Sequence, residues 1–344
     1  MSMKPRIALA LGDPAGIGPE IVARLLSREE NRAAADILLV ADRSELEEGM
    51  RIAGVRFDYS LAEEGGRPSF APGVPVLLDY RGAAQPPFER AVATANGGRY
   101  ALDTLRRAAE LTVAGVTDGM CFAPLNKHGL HLAGIGHSDE THWFAEILRA
   151  NGPVGEINTL DGLWTSRVTS HVPLKEVSGL ITEERILDAI RLVHGTLIRA
   201  GVEAPRIAVC GLNPHNGENG SFGREELDVI GPTVEKARAL GLPVVGMYPA
   251  DTIFLKAKEV DAIVTMYHDQ GQIAMKLMGF SRGVTVHGGM PIPIATPAHG
   301  TGYDIYGQGK ANVGAIQAAF DVVRALASAP RANASASAKG SVHA

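Results

Sequence analysis

A chain of 344 residues is long for one hydrophobic core and suits two lobes. With 45% apolar and 21% charged residues it has the composition of a soluble globular enzyme. A net charge of −5 without a basic block argues against nucleic acid or a membrane surface as partner, and no apolar run approaches membrane-spanning length. The two cysteines, Cys121 and Cys210, sit inside apolar runs and are expected to be buried thiols in a reducing compartment. The N-terminus shows no cleavable signal pattern, so the expected location is the cytoplasm.

In chain order, apolar runs alternate with amphipathic segments. RIALALG from Arg6 predicts a strand, and PEIVARLLS a helix with Pro19 in its first turn. DILLVAD from Asp36 and VPVLLD from Val74 predict two more strands, separated by a surface loop from Glu63 to Pro75. Leu102, Leu105, Ala109 and Thr112 stand at helical spacing within a long helix from about Ala93 to Ala114. GMCFAPL from Gly119 is a strand ending at Pro124. A strand region runs from Leu160 to Ser170, and a helix from about Thr182 to Ala200. RIAVCGL, a helix from Arg224 to Leu240, PVVGMYPA and AIVTMYH follow, and a last helix spans about Val313 to Ala327. This alternation predicts an α/β protein with largely parallel sheets and helices on both faces. The tail from Ser328 is small, polar and aperiodic, and is expected to be disordered.

Three histidines share one context. His171 in TSHVPL, His215 in GLNPHNGENG and His268 in TMYHDQG each stand where a strand-like run breaks into a polar loop. Sheet enzymes collect ligands at strand ends, and three neutral imidazoles with one open position make a catalytic divalent-metal site. The plain alternative is three unrelated surface histidines in a chain holding eleven. The long gaps between them match no short metal signature and leave both readings open. GDPAGIGPE, from Gly12 to Glu20, is neither a dinucleotide fingerprint nor a Walker motif; it is a tight turn whose amides could hold an anion. In the glycine cluster from His299 to Asn312, Asp304 suits ribose hydroxyls and Asn312 an adenine edge; a flexible loop is the alternative.

GDPAGIGPE, APLNK from Ala123 to Lys127, NPHNGENG, PADT around Asp251 and MYHDQG stand in an order shared with one family. The chain resembles the 4-hydroxythreonine-4-phosphate dehydrogenases from about Pro5 to Ala327. The pattern HG-x₃-D-x₄-G-x₂-N from His299 to Asn312 is similar to the adenosine loop of isopropylmalate and isocitrate dehydrogenases. The resemblance implies a two-lobed isopropylmalate dehydrogenase-like α/β fold with a cleft between the lobes. Residues 1–128 with 296–329 would form the cofactor lobe, 129–295 the metal, substrate and dimerisation lobe, and 330–344 a tail. It implies oxidation of a secondary alcohol with NAD or NADP, then loss of carbon dioxide from the β-keto acid. His171, His215 and His268 would hold a divalent ion (zinc, cobalt, nickel, magnesium or manganese) in a site shared by a homodimer, one histidine coming from the neighbour. That ion makes the hydroxyl more acidic and stabilises the enolate left by decarboxylation. Lys127, Asp251 and Asp269 are unranked candidates for the base, and Lys276 matches a substrate ligand. Gly12, Asp13, His299, Gly300, Asp304 and Asn312 fall on the cofactor side. Asp304 would favour NAD over NADP by repelling a 2′-phosphate.

The departures concern the substrate phosphate, which the family binds in part through a Gly-His-Thr segment, an asparagine and an arginine. Aligned without gaps, Glu140 stands at the histidine position and Thr141 at the threonine, or in a shifted alignment Gly136, His137 and Ser138 form the segment; Thr285 stands at the asparagine and Ile294 at the arginine. Isoleucine lacks the cationic fork that suits phosphate, and a carboxylate repels a dianion. These substitutions predict a non-phosphorylated hydroxy acid, such as a cyclic dihydrodiol carboxylate, in place of 4-hydroxythreonine 4-phosphate. His137, Glu140, His142 and His287 are candidates for its hydroxyls or carboxylate. A metallohydrolase or ligand-binding protein without NAD is the competing class; the intact Asp304 and Asn312 favour a dehydrogenase.

Overall fold

The computed structural model describes residues 4–62 and 67–329. The expected C-terminal disorder from residue 330 and the first residues of the expected Glu63–Pro75 loop lie outside them, whereas Ser328, expected in the tail, closes the last helix. Twelve strands among the described residues form one sheet. They are β1 (Arg6–Ala10), β2 (Asp36–Ala41), β3 (Ser60–Leu61), β4 (Val76–Asp79), β5 (Gly119–Phe122) and β6 (Gly155–Leu160), then β7 (Leu163–Arg167), β8 (Ile207–Cys210), β9 (Val244–Tyr248), β10 (Ala262–Thr265), β11 (Val284–Gly288) and β12 (Ile294–Pro297). Their spatial order is β3-β4-β2-β1-β5-β12-β11-β6-β7-β10-β8-β9.

From β3 to β12 neighbouring strands are parallel, and so are those from β7 to β9. The steps β12–β11, β11–β6 and β6–β7 between these blocks are antiparallel. The fold is thus α/β with a mixed, mostly parallel sheet. The strand region expected from Leu160 to Ser170 is the second arm of the β6–β7 hairpin. Asp161 and Gly162 form its turn with φ of 50° and 90°, the left-handed pair that matches strand twist. That Asp-Gly signal was in the sequence, but the apolar run hid the break.

Alternation along β1 sends Ile7 and Leu9 into one core and Ala8 and Ala10 into another, so the sheet is buried on both faces. The long helix Ala95–Val113 is capped by Thr94, whose side chain accepts from the Gly97 amide. Cys121 and Cys210 are buried free thiols, and burial pushes the Cys210 thiol up to about 12. The C-terminal helix Gly314–Ser328 lies against β12, β5, β11 and β1. No helix among the described residues is long and apolar enough to cross a membrane.

The Gly12 turn is a clamp and not an anion cradle. Gly12 has φ of 69°, and a Cβ there would sit 2.3 Å from the Ala123 carbonyl oxygen, so only glycine fits. The Ile17 amide donates to the Thr301 carbonyl at 2.9 Å. The Tyr303 hydroxyl donates to Asp13, the Ala311 amide to Glu20 at 3.0 Å, and Arg24 to the Gly309 carbonyl at 2.7 Å. The motif thereby fixes the loop from Thr301 to Ala311 at three points, and Arg24 in the following helix adds a fourth.

Burial raises the Asp13 carboxyl above its ordinary range, against opposing bonds from Tyr303 and the Ala15 amide and the charge of Arg90. A raised folded pKa contributes stability that is fully present below the unfolded value, near 3.9, and is lost as pH rises through the folded value. Asp13→Asn keeps an acceptor for the Ala15 amide and removes the titration. Its Tm relative to the wild type should therefore rise as pH rises above about 4. Thermal melts across that range check this; a constant difference contradicts it.

Candidate active site

A cleft of about 530 Å³ opens across the centre of the sheet. The segment after β5 bounds it with Asn126 and Lys127, the segment after β12 with His299 and Gly300, and the antiparallel centre with Glu156, Asn158 and Thr285. His171 and His268 enter it from the ends of β7 and β10. Those strands are parallel neighbours, so their ends bring the two rings together, with centroids 5.6 Å apart and planes tilted by 43°.

Both imidazoles are oriented by carboxylates. His268 Nδ1 meets Asp269 Oδ1 at 2.7 Å, and His171 Nδ1 lies 3.6 Å from Asp139 Oδ2. Asp139 also caps the helix Glu140–Ile147 and holds His142 Nδ1 at 2.7 Å. Burial opposes ionisation of Asp139, but its contacts with His171 and His142 hold its pKa well below the carboxylate range. With each Nδ1 facing an acid, both Nε2 atoms are left to ligate, the usual arrangement behind a metal-binding histidine. This donor pair fits a borderline divalent ion but lacks a third ligand. Among the described residues of one chain, no three His, Cys, Asp or Glu side chains gather as a metal-holding group.

His215 does not line the cleft. It follows β8, near the outer edge of the sheet, and is exposed, its ring 6.4 Å from that of Phe222. Five consecutive residues, His215 to Asn219, have positive φ: 53°, 53°, 78°, 42° and 53°. Left-handed backbone costs about 1–2 kcal/mol per non-glycine residue, so such a run persists only where its surroundings enforce it. Asp251 follows the edge strand β9 and is exposed, also away from the cleft. Asp269 is 71% exposed and bound to His268. Of the three candidate bases, Lys127 alone lines the cleft of its own chain.

The substrate candidates divide. Glu140, Lys276 and Thr285 line the cleft; Thr285 accepts from Asn158 at 3.0 Å, and Glu140 Oε2 is buried without a partner. Thr141 is buried in the wall, its hydroxyl 2.8 Å from His287 Nδ1. Ile294 corrects the sequence expectation. It is fully buried in the core on β12, beside Met120, and gives no surface to the cleft. His287 is buried with Nε2 unpartnered, and burial lowers its pKa. His142 stays on Asp139, and His137 pairs with Glu146.

Sequence reasoning missed Arg167. Its buried guanidinium pairs with Glu156, donates to Asn158 at 2.8 Å and to Ser170 at 2.9 Å. An arginine in an apolar run, four residues before His171, was the available signal.

On the cofactor side, His299 and Gly300 line the cleft, whereas Gly12 and Asp13 do not. Asp13 is committed to Tyr303 and the Ala15 amide, so it supports the loop and presents no group to a ligand. Asn312 Oδ1 accepts from the Gly314 amide at 2.7 Å, which assigns that oxygen to the start of the last helix. The Asp304 carboxylate is exposed on a loop turn.

The family model described as pyridoxal phosphate biosynthetic protein PdxA matches residues 33–323. A Pseudomonas aeruginosa protein, provisionally named 4-hydroxythreonine-4-phosphate dehydrogenase 2, is 60% identical over 92% of this chain and 96% of its own. A Symbiobacterium thermophilum protein, provisionally named D-threonate 4-phosphate dehydrogenase, is 34% identical over 96% of this chain and 99% of its own. The crystal structure of 4-hydroxythreonine-4-phosphate dehydrogenase from Klebsiella pneumoniae superposes with a TM-score of 0.82 at 33% identity, covering 95% of this chain and 99% of that one. The chain belongs to the PdxA family and is an oxidoreductase of the 4-hydroxythreonine-4-phosphate dehydrogenase type.

Proposed function

We propose that the protein oxidises the secondary alcohol of a small phosphorylated hydroxy acid with NAD, with a divalent ion held in a site shared by two subunits, and that the β-keto product decarboxylates. The observation that carries this is the pair of His171 and His268, 5.6 Å apart in a cleft bounded by the His299 loop. When bound, the ion would make the substrate hydroxyl more acidic and stabilise negative charge on the product oxygen. Lys127 faces the cleft and is the residue to take the hydroxyl proton. Lys276, in the same wall, supplies a cation for the substrate's anionic end. The names of the relatives support a phosphorylated substrate. Ile294 is buried outside the cleft and supplies no cation there, so in this reading the phosphate rests on Lys276 and neighbouring donors.

A second reading, a non-phosphorylated hydroxy acid, is favoured by one observation: the unpartnered carboxylate oxygen of Glu140 in the cleft wall suits a hydroxyl and repels a phosphate. Initial rates with phosphorylated acids, their dephosphorylated analogues and cyclic diol acids decide between them. The first reading expects kcat/KM of about 10⁴ M⁻¹s⁻¹ or more for a phosphorylated acid. Turnover confined to unphosphorylated acids would establish the second. Glu140→Gln should lower KM for a phosphorylated acid if repulsion operates. NAD should be preferred over NADP, since the exposed Asp304 carboxylate disfavours a 2′-phosphate; equal efficiency with both would show that it does not discriminate.

The position of the third histidine supports a shared site. His215 and Asp251 lie beyond neighbouring strands at the outer edge of the sheet. Exposed apolar side chains stand near them and along the His268 helix: Phe222 and Leu255, then Ile273 and Leu277. Such exposure marks an association surface, and two-fold symmetry would deliver each His215 to the partner's pair. Chains carrying His171→Ala and chains carrying His215→Ala should each be inactive. Unfolded and refolded together, they should recover roughly a quarter of wild-type activity, because half the dimers would hold one intact site. No recovery on mixing would place all ligands within one chain and overturn the shared site.

A further inference from the structure

We propose that Glu226 is a positioning residue that holds the left-handed turn carrying His215 in its ligand-presenting form. The proposal rests on the reading of His215 as a metal ligand.

Glu226 is 2% exposed, a buried carboxylate outside the cleft. Its Oε1 accepts the amides of Leu212 and Asn213 at 2.7 and 2.6 Å, and its Oε2 accepts from Asn213 Nδ2 at 3.0 Å. These bonds fix the two residues before Pro214, where the turn begins. From the other side the turn closes over the same carboxylate. A Cβ on Gly217 would lie 2.7 Å from Glu226 Oε2 and 2.8 Å from the Gly223 carbonyl oxygen, and Gly217 has φ of 78°. Glycine is required there by conformation and by space alike. Beyond it, the Phe222 amide donates to the Gly217 carbonyl and the Ser221 amide to Glu218, both at 3.1 Å.

Glu226 also opens the helical segment Glu226–Ile230, where the exposed amide ends favour a negative charge. One buried carboxylate therefore ties the strand end, the turn and the following helix together. Asn216 and Asn219 tolerate the left-handed region, but His215 and Glu218 have no such side-chain preference. Their geometry is imposed by the Glu226–Gly217 contact, and the imidazole is left exposed at the tip. Groups that orient a ligating histidine act on metal affinity without touching the metal.

The test is a titration of the metal-free dimer with Co²⁺, followed by visible absorption, for the wild type, His215→Ala, Glu226→Gln and Gly217→Ala. Melting of each metal-free protein is recorded in parallel. Glu226→Gln keeps the size but puts a donor against Asn213 Nδ2 or the backbone amides. Gly217→Ala perturbs the same contact from the other side. Both are expected to weaken Co²⁺ binding about 10–100-fold at temperatures where the protein remains folded, with altered absorption of the residual complex. A variant that melts earlier yet binds Co²⁺ with wild-type affinity and spectrum shows a structural role only and overturns the proposal. Should Glu226→Gln fail to fold, Gly217→Ala decides alone. If His215→Ala itself binds as the wild type does, the reading of His215 as a ligand fails. If His215→Ala loses the ion while both other variants keep it, the positioning role alone fails.

Discussion

The cleft depends on a reversal of strand direction at the centre of the sheet. Buried backbone N–H and C=O groups must find partners, and a single continuous sheet meets that need across the whole width of the molecule. β11 and β6 run opposite to both their neighbours and join two parallel blocks. Residues with chemistry collect around this seam. Thr285 and His287 alternate on β11 with Val284 and Val286, which pack into the core on the other face. Asn158 on β6 then links Thr285 to Arg167 on β7. The floor of the cleft is thus a polar network spread over three antiparallel strands, reached from each side by loops that follow parallel ones.

Much of this was legible in sequence because it is periodic. Strands such as Ile207–Cys210 and Ala262–Thr265 are apolar runs bounded by turn residues, and helices such as Glu183–Arg199 repeat at helical spacing. The seam was not legible in the same way. The expected region from Leu160 to Ser170 took in β7 and only the last residue of β6, so the first strand of the hairpin, Gly155–Leu160, was missed. The histidine pair was legible through strand-end context. Partnership is not periodic: nothing in the sequence marks Asp139 as the acid beside His171, or Glu226 as the acid beneath the His215 turn. Burial was not legible either: Ile294 stands at an arginine's place in the family pattern, and the structure buries it in the core.

Buried carboxylates in this fold serve mainly as loop fasteners. Asp13 accepts the Ala15 amide, Glu20 the Ala311 amide, and Glu226 the amides of Leu212 and Asn213. Glu45 holds both terminal nitrogens of Arg90, which in turn donates to the Pro14 carbonyl. Charge-assisted bonds are about twice as strong as neutral ones, so one acid can order several backbone groups that have no ladder to join. Glu20 and Glu140 each keep one oxygen without a protein partner, but of the two only Glu140 faces the cleft. A buried acid with all its acceptors used has no capacity left for a ligand; one with an oxygen to spare does.

The same accounting separates the two ends of the molecule. At one end, the glycine turn spends its polar groups on the loop from Thr301 to Ala311 and leaves the Asp304 carboxylate exposed beyond the clamp. At the opposite edge, Glu226 and Gly217 constrain a turn whose exposed product is an imidazole beside an exposed phenylalanine. Strain of that kind persists only if something offsets it, and a turn held left-handed merely to show a histidine to water offsets nothing. In the proposed dimer, a second subunit seated on this edge would give the turn a function, by making an exposed imidazole the ligand that the His171–His268 pair lacks.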